Sequence, residues 1–165
     1  MEIRISPIYG ENYEVQWGKA DYANKIVLDI GGSNGDTSDF FLRKGAILCI
    51  CVDSNKDYIT QCKNAVKALK IPILPIHKSI NNTNDWENMI TLINPDIVKS
   101  DCEGGELSLF DINDEIFKLV PEYIIETHDS RITKKMIEKC NICGYDIIDI
   151  NNWTSDVSIV YVKRK

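Results

Sequence analysis

The sequence predicts an α/β domain built on a doubly wound, mostly parallel sheet of seven strands that ends in an antiparallel hairpin. Three observations predict it. Short apolar segments of strand length alternate with segments of helical spacing along most of the chain, the pattern of parallel strands joined by crossover helices. The first of these strands, residues 26–30, runs straight into Gly31, Gly32 and Gly35, forming the strand-turn-helix corner at which open α/β sheets bind ligands. The last two strands, 146–150 and 157–163, are separated only by the polar segment Asn-Asn-Trp-Thr-Ser, a connection too short for a parallel pair.

Each element follows from local chemistry. Ile26, Val27, Leu28 and Ile30 make a short apolar run rich in β-branched residues, the signature of a strand buried on both faces. Residues 36–44 then take helical spacing, anchored by Phe40 and Phe41. A second apolar strand, 46–52, ends at Asp53, and a helix over 56–69 follows, with Ile59, Cys62, Ala65, Val66 and Leu69 on one face. The third strand, 71–76, contains Pro72 and Pro75; proline cannot donate to a ladder, so this strand belongs on a sheet edge. A short helix over 86–93, a strand over 96–100, a helix over 107–119, a fifth strand over 122–127 and a helix over 131–140 complete the alternation. The first 25 residues stand apart as an extension to a core of 26–165, within one domain of 165 residues. There the alternating Ile3 and Ile5 predict a strand over 1–8, with 13–17 as its hairpin partner. Such an extension either closes over a ligand or covers a sheet edge.

Composition narrows the class. Apolar residues make up 44% and charged residues 27% of the chain, ordinary values for a globular domain. No apolar run approaches the roughly 20 residues needed to span a bilayer, and no charged-then-apolar leader opens the sequence, so a cytoplasmic location without membrane partners is expected. A net charge of −6 argues against a broad nucleic-acid surface. Six cysteines include one Cys140-x-x-Cys143 pair, which lacks the second pair or histidines of a zinc site. Buried free thiols in a reducing compartment are expected.

The spacing of the glycine turn separates ligand classes. Gly31-Gly32-Ser33-Asn34-Gly35 matches neither the dinucleotide fingerprint nor the phosphate loop. The turn also opens with Asp29, whose carboxylate would repel a pyrophosphate and attract an ammonium or sulfonium group. Asp53, at the end of the next strand, is placed to receive ribose hydroxyls, or, with Ser54 and Asn55, to cap the helix that follows. Asp-x-Gly-x-x-x-Gly after an apolar strand resembles the first motif of the S-adenosylmethionine-dependent methyltransferases, which have a Rossmann-like fold.

A third region resembles a narrower family. Asp-Ile-Val-Lys-Ser-Asp-Cys-Glu-Gly-Gly-Glu-Leu, residues 96–107, is similar to the K-I-D-x-E-G-x-E motif of the FkbM-type methyltransferases: Lys99, Asp101, Glu103, Gly104 and Glu106 match, and Ser100 replaces the usual isoleucine. Downstream, 123–128 resembles that family's strand ending in Glu-x-His. The departures are Ser54, where proline is common, and the doubled glycine. The resemblance spans about residues 26–162 and implies O-methylation of a small molecule or sugar, with S-adenosyl-L-methionine as cofactor. It also implies a candidate cofactor set of Asp29, Gly31, Gly32, Ser33, Gly35, Asp53, Ser54, Ser79 and Asp101, and a candidate catalytic set of Asp101, His128, Glu103 and Lys99.

The chemistry of the second set is intelligible on its own. Asp101 ends a central strand, and Glu103 and Glu106 follow within a turn, so a cation, Lys99 or a charged substrate should balance them. Oxygen clusters of this kind suit Mg²⁺ or Ca²⁺, but no EF-hand spacing supports one and no metal ligand set is assigned. Both glutamates also suit the N-terminus of the following helix. His128 has the basicity to accept a hydroxyl proton, or else serves the Asp129-Ser130 turn. Two other readings stay open: a nucleoside-binding module without catalysis, and an RNA methyltransferase.

Overall fold

In the computed structural model, which describes residues 4–10, 12–154 and 156–165, seven strands form one mixed sheet in the order β3-β2-β1-β4-β5-β7-β6. The chain divides into two compact units, one running to Ser79 and one starting at Ile80. No helix among the described residues is long and apolar enough to cross a membrane.

The first unit contains α1 (Tyr13–Gln16), β1 (Ile26–Ile30), α2 (Asp36–Arg43), β2 (Leu48–Asp53), α3 (Lys56–Leu69) and β3 (Ile73–His77). β1 and β2 pair in parallel with Asp29 opposite Cys51, and β2 and β3 pair in parallel with Asp53 opposite His77. β3 takes the edge position that its proline demands. Val27, Leu28, Cys49, Cys51 and Val52 are completely buried, the mark of strands covered on both faces. Tyr22 stacks on Phe41 with ring centroids 4.8 Å apart, which fastens the loop before β1 to α2. Asn55 caps α3 by accepting from the backbone N–H groups of Asp57 and Tyr58.

The second unit contains α4 (Thr83–Ile93), β4 (Ile97–Ser100), α5 (Glu106–Leu109), α6 (Asp114–Phe117), β5 (Glu122–Thr127), α7 (Ser130–Cys143), β6 (Tyr145–Asn152) and β7 (Ser158–Arg164). β4 and β5 are parallel, whereas β5–β7 and β6–β7 are antiparallel, with a bulge between Ile147 and Asp149. The closing hairpin is therefore as the sequence predicts; Ser155, in its connection, lies outside the described residues. Tyr123 stacks on Phe117 at 4.4 Å, and both the Tyr123 and Tyr145 hydroxyls donate to the Phe117 carbonyl at 2.9 Å. These bonds let two phenols sit in the core with their polar ends satisfied.

Two segments depart from the sequence reading. The expected N-terminal hairpin does not form. Residues 1–3 of its first strand lie outside the described residues, and from Arg4 onward the backbone donors turn to side chains instead of a ladder. Arg4 N–H donates to Asp39 Oδ2 at 3.0 Å and Ile8 N–H to Asp36 Oδ2 at 3.1 Å. Residues 13–16 are helical because that geometry buries Tyr13, Gln16 and Trp17 together and leaves Val15 exposed. The helix expected over 107–119 is split into α5 and α6. Asn113 breaks it by accepting from Glu115 N–H at 2.8 Å as a cap while its own N–H donates to Glu87 at 2.9 Å.

Two consequences are measurable. A Cβ on Gly35 would lie 2.6 Å from Cys62 Sγ at a backbone φ of +90°, whereas one on Gly144, at φ +80°, meets nothing within 4 Å. Gly144→Ala should therefore cost only the left-handed penalty of about 1–2 kcal/mol, and Gly35→Ala distinctly more, in urea unfolding midpoints. Lys139 Nζ lies 2.5 Å from Asp114 Oδ1, and that bond holds the half-exposed Asp114 carboxyl below its ordinary value. A depressed carboxyl contributes stability above its unfolded pKa and loses it as pH falls through the folded one. Asp114→Asn should be less stable than the parent at pH 6 and lose less of its stability on acidification below about pH 4.

Candidate cofactor and acceptor sites

The glycine turn is built from two directions. Gly31 and Gly32 N–H both donate to the Val52 carbonyl, at 2.9 and 3.1 Å, tying the turn to the end of β2. Ser33 N–H donates to Asp53 Oδ2 at 2.9 Å, and Asn55 N–H to Asp53 Oδ1 at 2.7 Å. Asp53 is half-buried, so each carboxylate oxygen has one internal donor and keeps capacity for a second. Ser33 has a left-handed φ of +49°, and its Oγ is buried with no hydrogen-bond partner among the described residues. Strain of this kind, at a non-glycine residue in a turn, is characteristic of ligand sites.

Asp29 and Gly32 do different work from that expected. Asp29 is fully enclosed, and its Oδ2 accepts from Thr37 Oγ1 and Ser38 Oγ, both at 2.7 Å. It fastens β1 to the start of α2. A Cβ on Gly32 would stand 2.8 Å from Cys51 Sγ and 2.9 Å from Asp29 Oδ2. The missing side chain makes room for the protein's own interior, where the sequence reading places a ligand. Thr37 and Ser38 were not among the sequence candidates; two hydroxyls one turn into a helix beyond a strand-end acid are the signal that points to them.

The N-terminal segment borders this turn. Asn34 Nδ2 donates to the Ser6 carbonyl at 3.1 Å, and the Tyr13 hydroxyl donates to Asp36 Oδ2 at 2.9 Å. Burial raises the Asp36 carboxyl above its ordinary value against the pull of its bonds from Tyr13, Ile8 and Thr37. Tyr9 and Tyr58 hydroxyls meet at 2.9 Å, and that bond, with burial and the charges of Asp53 and Asp36, pushes the Tyr9 phenol up to about 12. Ser54 and Ser79 are exposed, and the Ser54 carbonyl lies 3.0 Å from His77 Nε2.

In the second unit, Asp101, Glu103 and His128 are brought together. His128 Nε2 lies 3.7 Å from Asp101 Oδ1, 3.8 Å from Glu103 Oε2 and 3.5 Å from Glu126 Oε1. Glu126 was not in the sequence's catalytic set. Its signal was its place two residues before His128, which puts both on one face of an extended chain. Asp129, the next residue, caps α7, accepting from Arg131 N–H at 2.6 Å. The Arg131 side chain beside it draws the Asp129 carboxyl down to about 2. His128 Nδ1 is buried with no hydrogen-bond partner among the described residues, so no bond on that side fixes the ring.

Glu106 separates from this group. It is completely buried and accepts from the N–H groups of Cys102 and Gly104, both at 2.7 Å. The carboxylate thus folds the 101–106 loop, in which Glu103 takes a left-handed φ of +52°. Lys99 is enclosed within β4, opposite Ile124. Cys102 is half-buried, and burial with the nearby Glu106 charge pushes its thiol up. All six cysteines are free thiols, and the other five are buried.

No family model matches the chain. It is 28% identical over 130 residues to Uncharacterized protein 65 of Sulfolobus islandicus filamentous virus (isolate Iceland/Hveragerdi), covering 79% of this chain and 75% of that one. Among solved structures it is similar to a putative RNA methyltransferase from Pyrococcus horikoshii, with a TM-score of 0.66 and 15% identity over 92% of this chain and 83% of that one. It also resembles Aeropyrum pernix fibrillarin with natively bound S-adenosyl-L-methionine (TM-score 0.63, 14% identity, 85% and 66% covered). A third similar structure is the ribosomal protein L11 methylase of Lactobacillus delbrueckii subsp. bulgaricus (TM-score 0.63, 13% identity, 90% and 74% covered). At these identities the likeness is one of fold, and the chain has the Rossmann-like fold of the class I methyltransferases.

Proposed function

We propose that this chain is an S-adenosylmethionine-dependent methyltransferase of FkbM type that methylates a hydroxyl oxygen on a small molecule or sugar. The observation that carries the cofactor reading is the half-buried Asp53 carboxylate, fixed at the glycine turn by Ser33 N–H with one acceptor site left on each oxygen. Two such sites match the vicinal hydroxyls of a ribose. A similar structure that holds S-adenosyl-L-methionine supports the same reading. Asp29 keeps the turn in place from beneath, and Ser54 and Ser79 are exposed.

S-adenosylmethionine, when bound, supplies an electrophilic methyl on a sulfonium, and its displacement needs chiefly that the acceptor be held in line. The acceptor hydroxyl must lose its proton as the new C–O bond forms. His128 Nε2, surrounded by the Asp101, Glu103 and Glu126 carboxylates, receives that proton, and the carboxylates stabilise the imidazolium that results. The similar Pyrococcus horikoshii structure, a putative RNA methyltransferase, favours the RNA reading. A net charge of −6 and an acidic acceptor cluster weigh against a polyanionic substrate.

Calorimetric titration with S-adenosylmethionine tests the first half of this reading. Asp53→Ala should weaken binding by about 1–3 kcal/mol, whereas Asn55→Ala should cost about 1 kcal/mol of stability as a lost cap and leave affinity unchanged. Equal affinity for parent and Asp53→Ala would assign Asp53 to the turn alone. His128→Ala should keep the cofactor affinity and slow methyl transfer by about 10²–10⁴-fold, measured with labelled cofactor against a panel of hydroxylated compounds and RNA. Transfer to RNA alone would replace the small-molecule reading. Tight cofactor binding without transfer to any acceptor would favour the binding module.

A further inference from the structure

We infer that Asp101, Glu126 and His128 form a binding site for one divalent transition-metal ion, with Glu103 within reach as a fourth ligand. The inference rests on the proposed methyl transfer only for its catalytic consequence, since the binding itself can be measured without cofactor or acceptor.

Three features point to a cation. The donor atoms of Asp101, Glu126 and His128 all lie within 4.8 Å of one another, and they arrive from two places in the fold, the loop after β4 and the end of β5. The imidazole Nε2 faces three carboxylate oxygens at 3.5, 3.7 and 3.8 Å. These separations exceed those of an N–H···O hydrogen bond. They fit ligands that share an ion instead: donors about 2.1 Å from a metal in tetrahedral array stand roughly 3.4 Å apart. The Asp101 and Glu126 carboxylates converging beside one imidazole, with Glu103 near it on the exposed side, also repel unless positive charge lies among them.

The donor set selects the ion. Two or three carboxylate oxygens with one imidazole nitrogen suit Zn²⁺ or Mn²⁺, whereas Mg²⁺ and Ca²⁺ favour oxygen alone. Three ligands from partly exposed side chains leave a coordination position open to a small oxygen ligand, the arrangement of catalytic metal sites. A cation there would polarise an acceptor hydroxyl and lower its pKa. With the ion bound, His128 serves as a ligand and the hydroxyl proton passes to solvent, so direct proton uptake by His128 describes the metal-free protein.

Chelator-treated protein is titrated with Mn²⁺, followed by the electron paramagnetic resonance signal of free Mn²⁺, and with Zn²⁺ by calorimetry. One saturable equivalent is expected. His128→Ala and the near-isosteric Glu126→Gln and Asp101→Asn should each weaken binding by about 10-fold or more, with folding checked by circular dichroism. Asp111→Asn, which removes an exposed pair with Lys135, should bind as the parent does. Absence of saturable binding, or equal binding by all four variants, overturns the proposal. If methyl transfer occurs and persists undiminished in excess chelator, the catalytic role fails while the methyltransferase reading stands. If the ion binds and no transfer is found, the site stands and that reading fails.

Discussion

The first unit depends on one buried carboxylate. Asp29 is taken wholly out of water, a cost that a protein bears only when the charge is well bonded. Thr37 and Ser38 supply two short hydroxyl bonds from the first turn of α2, where the helix dipole adds a favourable field. The arrangement forces the rest of the corner. Gly32 must lack a side chain because Asp29 and Cys51 occupy the space beneath it, and the chain must then turn sharply enough for Ser33 to reach Asp53. The candidate cofactor residue is thus positioned by a residue that has no exposed surface of its own.

The second unit solves a similar problem with the opposite outcome. Glu106 is buried and spends both oxygens on backbone donors, which curls the 101–106 loop and swings Glu103 outward. Asp101 and His128 stay partly exposed, free to meet a ligand. One acid shapes the loop and its neighbours are left for chemistry.

Much of this was legible in the sequence because it was carried by composition over short windows. Buried parallel strands announce themselves as β-branched runs, and β1, α2, β2, α3 and the closing hairpin lie within a residue or two of where periodicity puts them. Proline at 75 assigned an edge. What was not legible was set by distant partners. Nothing local says that the donors of Arg4 and Ile8 will find Asp39 and Asp36, so the extension read as a strand. The break at Asn113 depends likewise on Glu87, in another helix. In the site, the sequence named Asp101, Glu103 and His128 but not Glu126, whose side chain joins them only because β5 is extended. It placed Glu103 and not Glu106 in the catalytic set through the family resemblance alone, and local chemistry gave both the same role at a helix N-terminus; what separates them is a left-handed backbone angle at Glu103.

The clasp between the N-terminal segment and α2 has a kinetic side. Residues 4–13 emerge from the ribosome before Asp36 and Asp39, the carboxylates that satisfy Arg4, Ile8 and Tyr13, have been made. Their donors stay in water until α2 and the strand beneath it have formed. Contacts of such separation in sequence are late by their loop-closure entropy. Synthesis order and docking order are therefore uncoupled in this unit: its first residues cannot dock before the chain extends at least to Asp36 and Asp39.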